Sequence, residues 1–206
     1  MGGVATQDTE TTQQTDENGI QITIPVETVG EVILEASPAI AEGTMFPRPE
    51  GRRITFTTYP IERDRQTAFI DVYPVAPFRE MNSVAADELD MLSALLTDLT
   101  PIGPTIEQLP YISGVGAAND IAFKTAYIDF ENGTGLRYIT RFTQNMLPVT
   151  SDLLVYVYQG ITDDGEYAVS VRLPFTTEIL PDLDAIIENG TVALPDEYAD
   201  SIGTDT

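Results

Sequence analysis

Two acidic turns and a set of arginines carry the side chains of this sequence that could do chemistry. Asp163, Asp164 and Glu166 fall in one expected turn, and Asp129, Glu131 and Asn132 crowd a second. Calcium is a hard cation that takes several carboxylate and carbonyl oxygens, so either turn, or both side by side, would offer ligands. The spacing is not that of a calcium loop, and Asp-Gly is also an ordinary hairpin turn. Two suitably separated carboxylates also hydrolyse glycosides without help from histidine or cysteine. With 33 acids in the chain some pair is always close, so acidic turns and an acidic helix start explain these residues adequately.

Arg137 and Arg141 stand four apart on one expected strand and therefore share a face, with Ile139 between them. Arg172, from a nearby strand, is the third member of this candidate ligand site. Guanidinium groups grip carboxylates and other anions bidentately. The alternative is that they pair with strand acids such as Asp129 or Asp71, as arginines commonly do. Tyr127, Tyr138, Tyr156, Tyr158 and Tyr167 would supply either an aromatic binding surface or cross-strand packing with hydroxyls at the rim.

What the chain lacks narrows its chemistry further. It contains no cysteine and no histidine. That excludes disulfides, thiolate nucleophiles, thiolate-held zinc, serine–histidine triads and histidine-ligated metals. No recognisable catalytic motif remains, and the expectation is a protein that is not an enzyme.

Charge points the same way. There are 33 acids against 10 bases, a net charge of −23. Residues 1–45 hold eight acids and no base, and so do residues 176–206, leaving 17 acids and all 10 bases in the middle, or −7. Such a field repels phosphate backbones, so nucleic acid is not an expected partner, and it attracts cations or a basic partner. No apolar run approaches the ~20 residues of a transmembrane helix.

These side chains need elements to position them. Residues 1–18, rich in Thr, Gln and Asp, read as a disordered polar tether, and residues 196–206 as a loose acidic tail. Between them, 19–195 reads as one domain. Short alternating runs at Ile20–Ile24, Glu31–Ala36, Arg53–Tyr59 and Thr67–Val75 predict strands. Ala85, Leu89, Leu92, Leu96 and Leu99 recur at helical spacing and predict one main helix over about 83–99. Two hairpins follow, 121–130 with 136–144, and 153–161 with 167–175. The first turns at Asn132-Gly133, where Asn-Gly favours left-handed torsions. A short helix is expected within 176–189. The fold class is α+β, an antiparallel sheet with the main helix packed on one face; a β-sandwich-like arrangement is the alternative.

The residues Phe130-Glu-Asn-Gly-Thr-Gly-Leu-Arg-Tyr138 and Tyr156-Val-Tyr-Gln-Gly-Ile-Thr-Asp-Asp-Gly-Glu-Tyr167 resemble the paired hairpin motifs of a family of uncharacterised exported bacterial proteins. Thr58-Tyr59-Pro60 and Asp71-Val-Tyr-Pro-Val75 are similar too, so the likeness spans about 54–175. The element order also resembles PsbP-like α+β domains, small exported accessory proteins. The resemblance implies an extracytoplasmic location, secreted or lipid-anchored at a bacterial envelope, with the signal segment absent from this chain. It brings no activity. The expected function is an accessory or binding domain that meets a protein or small ligand at the envelope. The alternatives are a calcium-binding structural module and a carboxylate-based glycoside hydrolase; calcium is the sole cofactor the sequence suggests.

Overall fold

The computed structural model describes residues 11–15, 21–25, 30–41, 43–61, 63, 66–81, 83–102, 109–114, 117–144 and 148–188. In chain order the elements are β1 (Thr11–Thr15), β2 (Gln21–Pro25), β3 (Val32–Ser37), β4 (Gly51–Phe56) and β5 (Phe69–Pro74). Then come α1 (Val75–Met81), α2 (Ser83–Asp98), β6 (Ala118–Asn119), β7 (Phe123–Phe130), β8 (Gly133–Thr140) and β9 (Phe142–Thr143). The chain finishes with a 3₁₀ turn (Ser151–Leu153), β10 (Val155–Thr162), β11 (Tyr167–Pro174) and α3 (Leu183–Glu188). Seven strands form one sheet in the order β3-β4-β5-β11-β10-β8-β7, with antiparallel neighbours throughout. The fold is α+β and mostly sheet.

Three differences from the sequence expectations have physical causes. Thr11–Thr15, inside the stretch read as a polar tether, pairs with β2 from Thr11↔Pro25 to Thr15↔Gln21. Its threonines suit an extended backbone as well as they suit disorder. The rest of 1–18 and the tail 196–206 lie outside the described residues. A second helix, α1, directly precedes α2, where the sequence suggested that the strand ran on through Val75. Pro77 sits in its first turn, where a missing N–H costs nothing.

The third difference is the Asn132-Gly133 turn, in which neither residue has a positive φ. Phe130 pairs directly with Gly133, so Glu131 and Asn132 form the turn and Gly133 is already in β8. Glycine is needed there for space: a Cβ at 133 would lie 2.3 Å from Phe130 Cζ and 2.4 Å from the Ile161 carbonyl oxygen. By contrast Gly165, in the β10–β11 turn, has φ +73°. That is the left-handed conformation glycine adopts freely.

The register sorts side chains by face, because directly opposed residues project to the same side. Tyr138, Val157, Arg172 and Phe69 form one row across the sheet. Arg137, Tyr158, Val171 and Ile70 form the adjacent row, on the opposite face. Leu92 of α2 clusters with Leu136, Tyr138, Val155 and Val157, and Leu89 with Tyr73, Phe78 and Ala168. Burying side chains of this size contributes roughly 1.5–3 kcal/mol each, which makes these clusters the main driving force for the fold. Asp71, fully buried, is held in a two-bond grip by Arg53, with both contacts at 2.7 Å, and accepts the Tyr73 hydroxyl at 2.9 Å. At the other end Arg63 donates to the carbonyls of Ser151, Asp152, Leu154 and Phe175, fastening the 3₁₀ turn to the end of β11.

Candidate functional site

The two acidic turns do lie side by side: the Asp163 N–H donates to the Asn132 carbonyl at 2.9 Å. Their carboxylates are used locally. Asp164 Oδ1 accepts from Thr162 Oγ1 at 2.6 Å and from the Glu166 N–H at 2.9 Å, and these bonds hold its carboxyl below the usual range. Asp129 Oδ1 accepts from Thr134 Oγ1 at 3.0 Å. Asp163, Glu166 and Glu131 are exposed. Among the described residues no three acidic side chains come together in a group that could hold a metal ion.

Nor do the three candidate arginines form one site. Arg137 and Arg172 occupy opposite faces of the sheet. Arg137 lies beside the Tyr156 hydroxyl. Arg141 is 4% exposed and grips Asp120, with Nε 2.9 Å from Oδ1, while also donating to the Pro148 carbonyl. It staples loops together, with Asp120 rather than Asp129 or Asp71 as its partner. Arg172 stands with its guanidinium carbon 5.5 Å from the Phe142 ring centre, and its Nε is buried without a hydrogen-bond partner.

Tyr158, on the same face as Arg137, is a packing element. Tyr158 lies across the strands, its hydroxyl reaching the Ile128 carbonyl at 3.1 Å, with Phe130 edge-on to it at 6.3 Å. Burial pushes its hydroxyl well above the ordinary range.

A different place has the character of a site. A cavity of about 180 Å³ opens between α2, the 45–46 loop and the segment Leu109–Gly114. Phe46, Tyr111, Ile112 and Phe142 form its apolar walls, and Met45 and Val84, 80% and 66% exposed, stand beside it. Tyr111 and Phe142 meet at a 46° tilt, with ring centres 4.6 Å apart. The polar groups of its lining are Glu88 and Asn119.

The wall segment has no regular structure, and side chains from the helix, the sheet and β6 satisfy its backbone instead. Asn119 Nδ2 donates to the Leu109 carbonyl at 3.0 Å, and the Tyr138 hydroxyl to that of Pro110 at 2.8 Å. The Tyr111 N–H donates to Glu88 Oε2 at 2.9 Å, and the Ile112 N–H to Gln159 Oε1 at 3.0 Å. The Ser113 hydroxyl reaches that of Ser170 at 2.7 Å, and Gln159 Nε2 donates to the same Ser170 oxygen at 2.9 Å. Five successive residues are thus tied down, which fixes the cavity wall rather than leaving it to move.

Glu88 is half-buried, and desolvation pushes its carboxyl above the usual range. The Tyr111 N–H pulls in the opposite direction, and the charge of Asp87 adds to the upward push. Among the described residues no arginine or lysine forms an ion pair with it. By position Glu88 belongs with Asp87 and Asp90, the acids near the start of α2. Its spacing, three after Ala85 and four before Leu92, sets it beside the buried stripe and was the signal available.

No family model, curated protein or solved structure matches the chain.

A wider hollow of about 540 Å³ lies beside Ser151, Thr176, Thr177 and Asp182. The Ser151 hydroxyl there is committed to Thr176 Oγ1 at 2.8 Å and to the Thr177 backbone at 2.9 Å, so it is a structural knot rather than a nucleophile.

Proposed function

We propose that this protein is a non-enzymatic binding domain of the bacterial envelope, with α2 covering one face of its sheet and the cavity beside Glu88 as its ligand site. The observation that carries the reading is a half-buried carboxylate in a largely apolar cavity whose wall is tied down residue by residue. Concave, largely apolar pockets with a few fixed polar groups are the usual form of small-ligand sites. The hairpin resemblance to exported bacterial proteins supports the location, and the PsbP-like element order fits a small accessory domain. Two structural facts support a reading without catalysis: the chain has no histidine or cysteine, and the Ser151 hydroxyl is engaged.

The test is thermal unfolding of the whole chain against amines, sugars, nucleotides, calcium and a chelator, in the natural protein and in Val84→Trp. Val84 lines the cavity and is 66% exposed, so the larger side chain adds bulk at the cavity without entering the core. A ligand held only by the folded state stabilises it by about 2.7 kcal/mol at a hundredfold excess over Kd. The reading expects a compound that raises the midpoint of the natural protein and not of Val84→Trp. Shifts identical in both proteins overturn it. A calcium shift abolished by chelator moves the function to the Glu131–Asn132 and Asp163–Glu166 turns.

A further inference from the structure

We propose that the cavity beside Glu88 selects a small organic ammonium, a primary amine carried on a single compact apolar ring. This inference rests on the reading of that cavity as the ligand site and adds the chemistry it accepts.

Size comes first. A cavity of about 150 Å³ lined by apolar side chains is known to accommodate benzene. The roughly 180 Å³ here therefore admits one six-membered ring with a short substituent. The aromatic walls of Phe46, Tyr111 and Phe142 match that body; Arg172 already lies over Phe142, so the cationic head is left to Glu88.

Charge comes second. Glu88 Oε2 is anchored by the Tyr111 N–H, so the carboxylate is held in place with one oxygen spoken for. No cationic side chain neutralises it among the described residues. A half-buried carboxylate without a counter-charge is costly to keep ionised, and an ammonium ligand removes that cost while making a charge-assisted hydrogen bond. A metal ion is a poorer fit, because no second and third carboxylate join Glu88 among the described residues. Arg172 sits over Phe142 and against the Tyr111 hydroxyl but is not part of the cavity lining, so it does not take the ligand's place. The net charge of −23 adds a long-range attraction for cations and opposes carboxylate ligands.

The experiment is calorimetric titration of the full chain with benzylamine, toluene and benzoate, three probes of one shape with positive, zero and negative charge. Benzylamine is expected to bind the natural protein about tenfold or more tightly than toluene, as one charged hydrogen bond provides. Benzoate is expected to bind least. Glu88→Gln keeps the acceptor for Tyr111 and is expected to bring benzylamine down to the level of toluene while leaving toluene unchanged. Equal binding of benzylamine and toluene, or preference for benzoate, overturns the amine inference and leaves the cavity as a ligand site. No binding by any of the three overturns both. The comparison within the natural protein decides the matter even where the variant fails to fold.

Discussion

The ring of Tyr158 occupies the space above Gly135 where any other residue would place its Cβ, which would fall 2.3 Å from Tyr158 Cζ. The same ring approaches Gly160, and Phe130 covers Gly133. The glycines of the hairpin motifs are therefore platforms for two aromatic rings, a device that restores packing to strand positions without side chains.

Gly135→Ala should accordingly destabilise the fold by overpacking, by about 1–3 kcal/mol or more, since the backbone oxygen of Gln159 also blocks the site at 2.6 Å. Gly165→Ala meets open space, and its cost comes from the left-handed φ alone, about 1 kcal/mol. Denaturant midpoints of the two variants should rank in that order; equal losses would contradict the platform.

The hairpin motifs thus encode packing. Gly133, Gly135 and Gly160 lie under rings, Thr162 and Asp164 close a turn, and Gln159 holds the Ile112 N–H. Their spacing made the strands legible, because period-two alternation and turn residues act locally. The main helix was legible for the same reason: Ala85, Leu89 and Leu92 recur at its period and are buried. The cavity was not legible, because its walls come from Phe46, Glu88, Tyr111 and Phe142, brought together by strand order rather than by spacing. The arginines misled for a related reason. Arg137 and Arg172 have similar sequence surroundings, yet the register turns them to opposite faces.

Gln159→Leu tests whether the wall of the cavity depends on the sheet. It leaves the buried Ile112 N–H without an acceptor, a loss of about 1–3 kcal/mol, and takes from Ser170 one of two hydrogen bonds, the one from Ser113 remaining. Stability should fall, and the Ile112 amide should exchange with solvent faster than in the natural protein. Unchanged exchange would mean that the segment is held by something else.

Leu99 offers a stabilising change. It follows α2 with φ +46°, exposed, while its N–H bonds to the Leu95 carbonyl at 2.9 Å, the position where helices favour glycine. Leu99→Gly should raise stability by about 1 kcal/mol, equivalent to roughly 2–4 °C in Tm for a domain of this size. A lower Tm would show that the leucine side chain matters more than the torsion.

Glu88 gives the unliganded protein a pH signature with a definite sign. Its carboxyl is raised in the folded state, so folding favours the protonated form. That favourable contribution is present in full below the ordinary glutamate pKa of 4.5 and is lost as pH rises through the folded value. Glu88→Gln has no such titration, so its stability relative to the natural protein should improve from acidic to neutral pH. A difference independent of pH would contradict the desolvation of Glu88.

The most direct test of the central claim is a two-dimensional ¹H–¹⁵N titration of the whole chain with benzylamine. The account predicts saturable shifts centred on the amides of Glu88, Tyr111, Ile112 and Asn119, with the Asp163–Glu166 turn unmoved. Saturable shifts elsewhere, or none at these four amides, would contradict the assignment of this cavity as an amine-binding site.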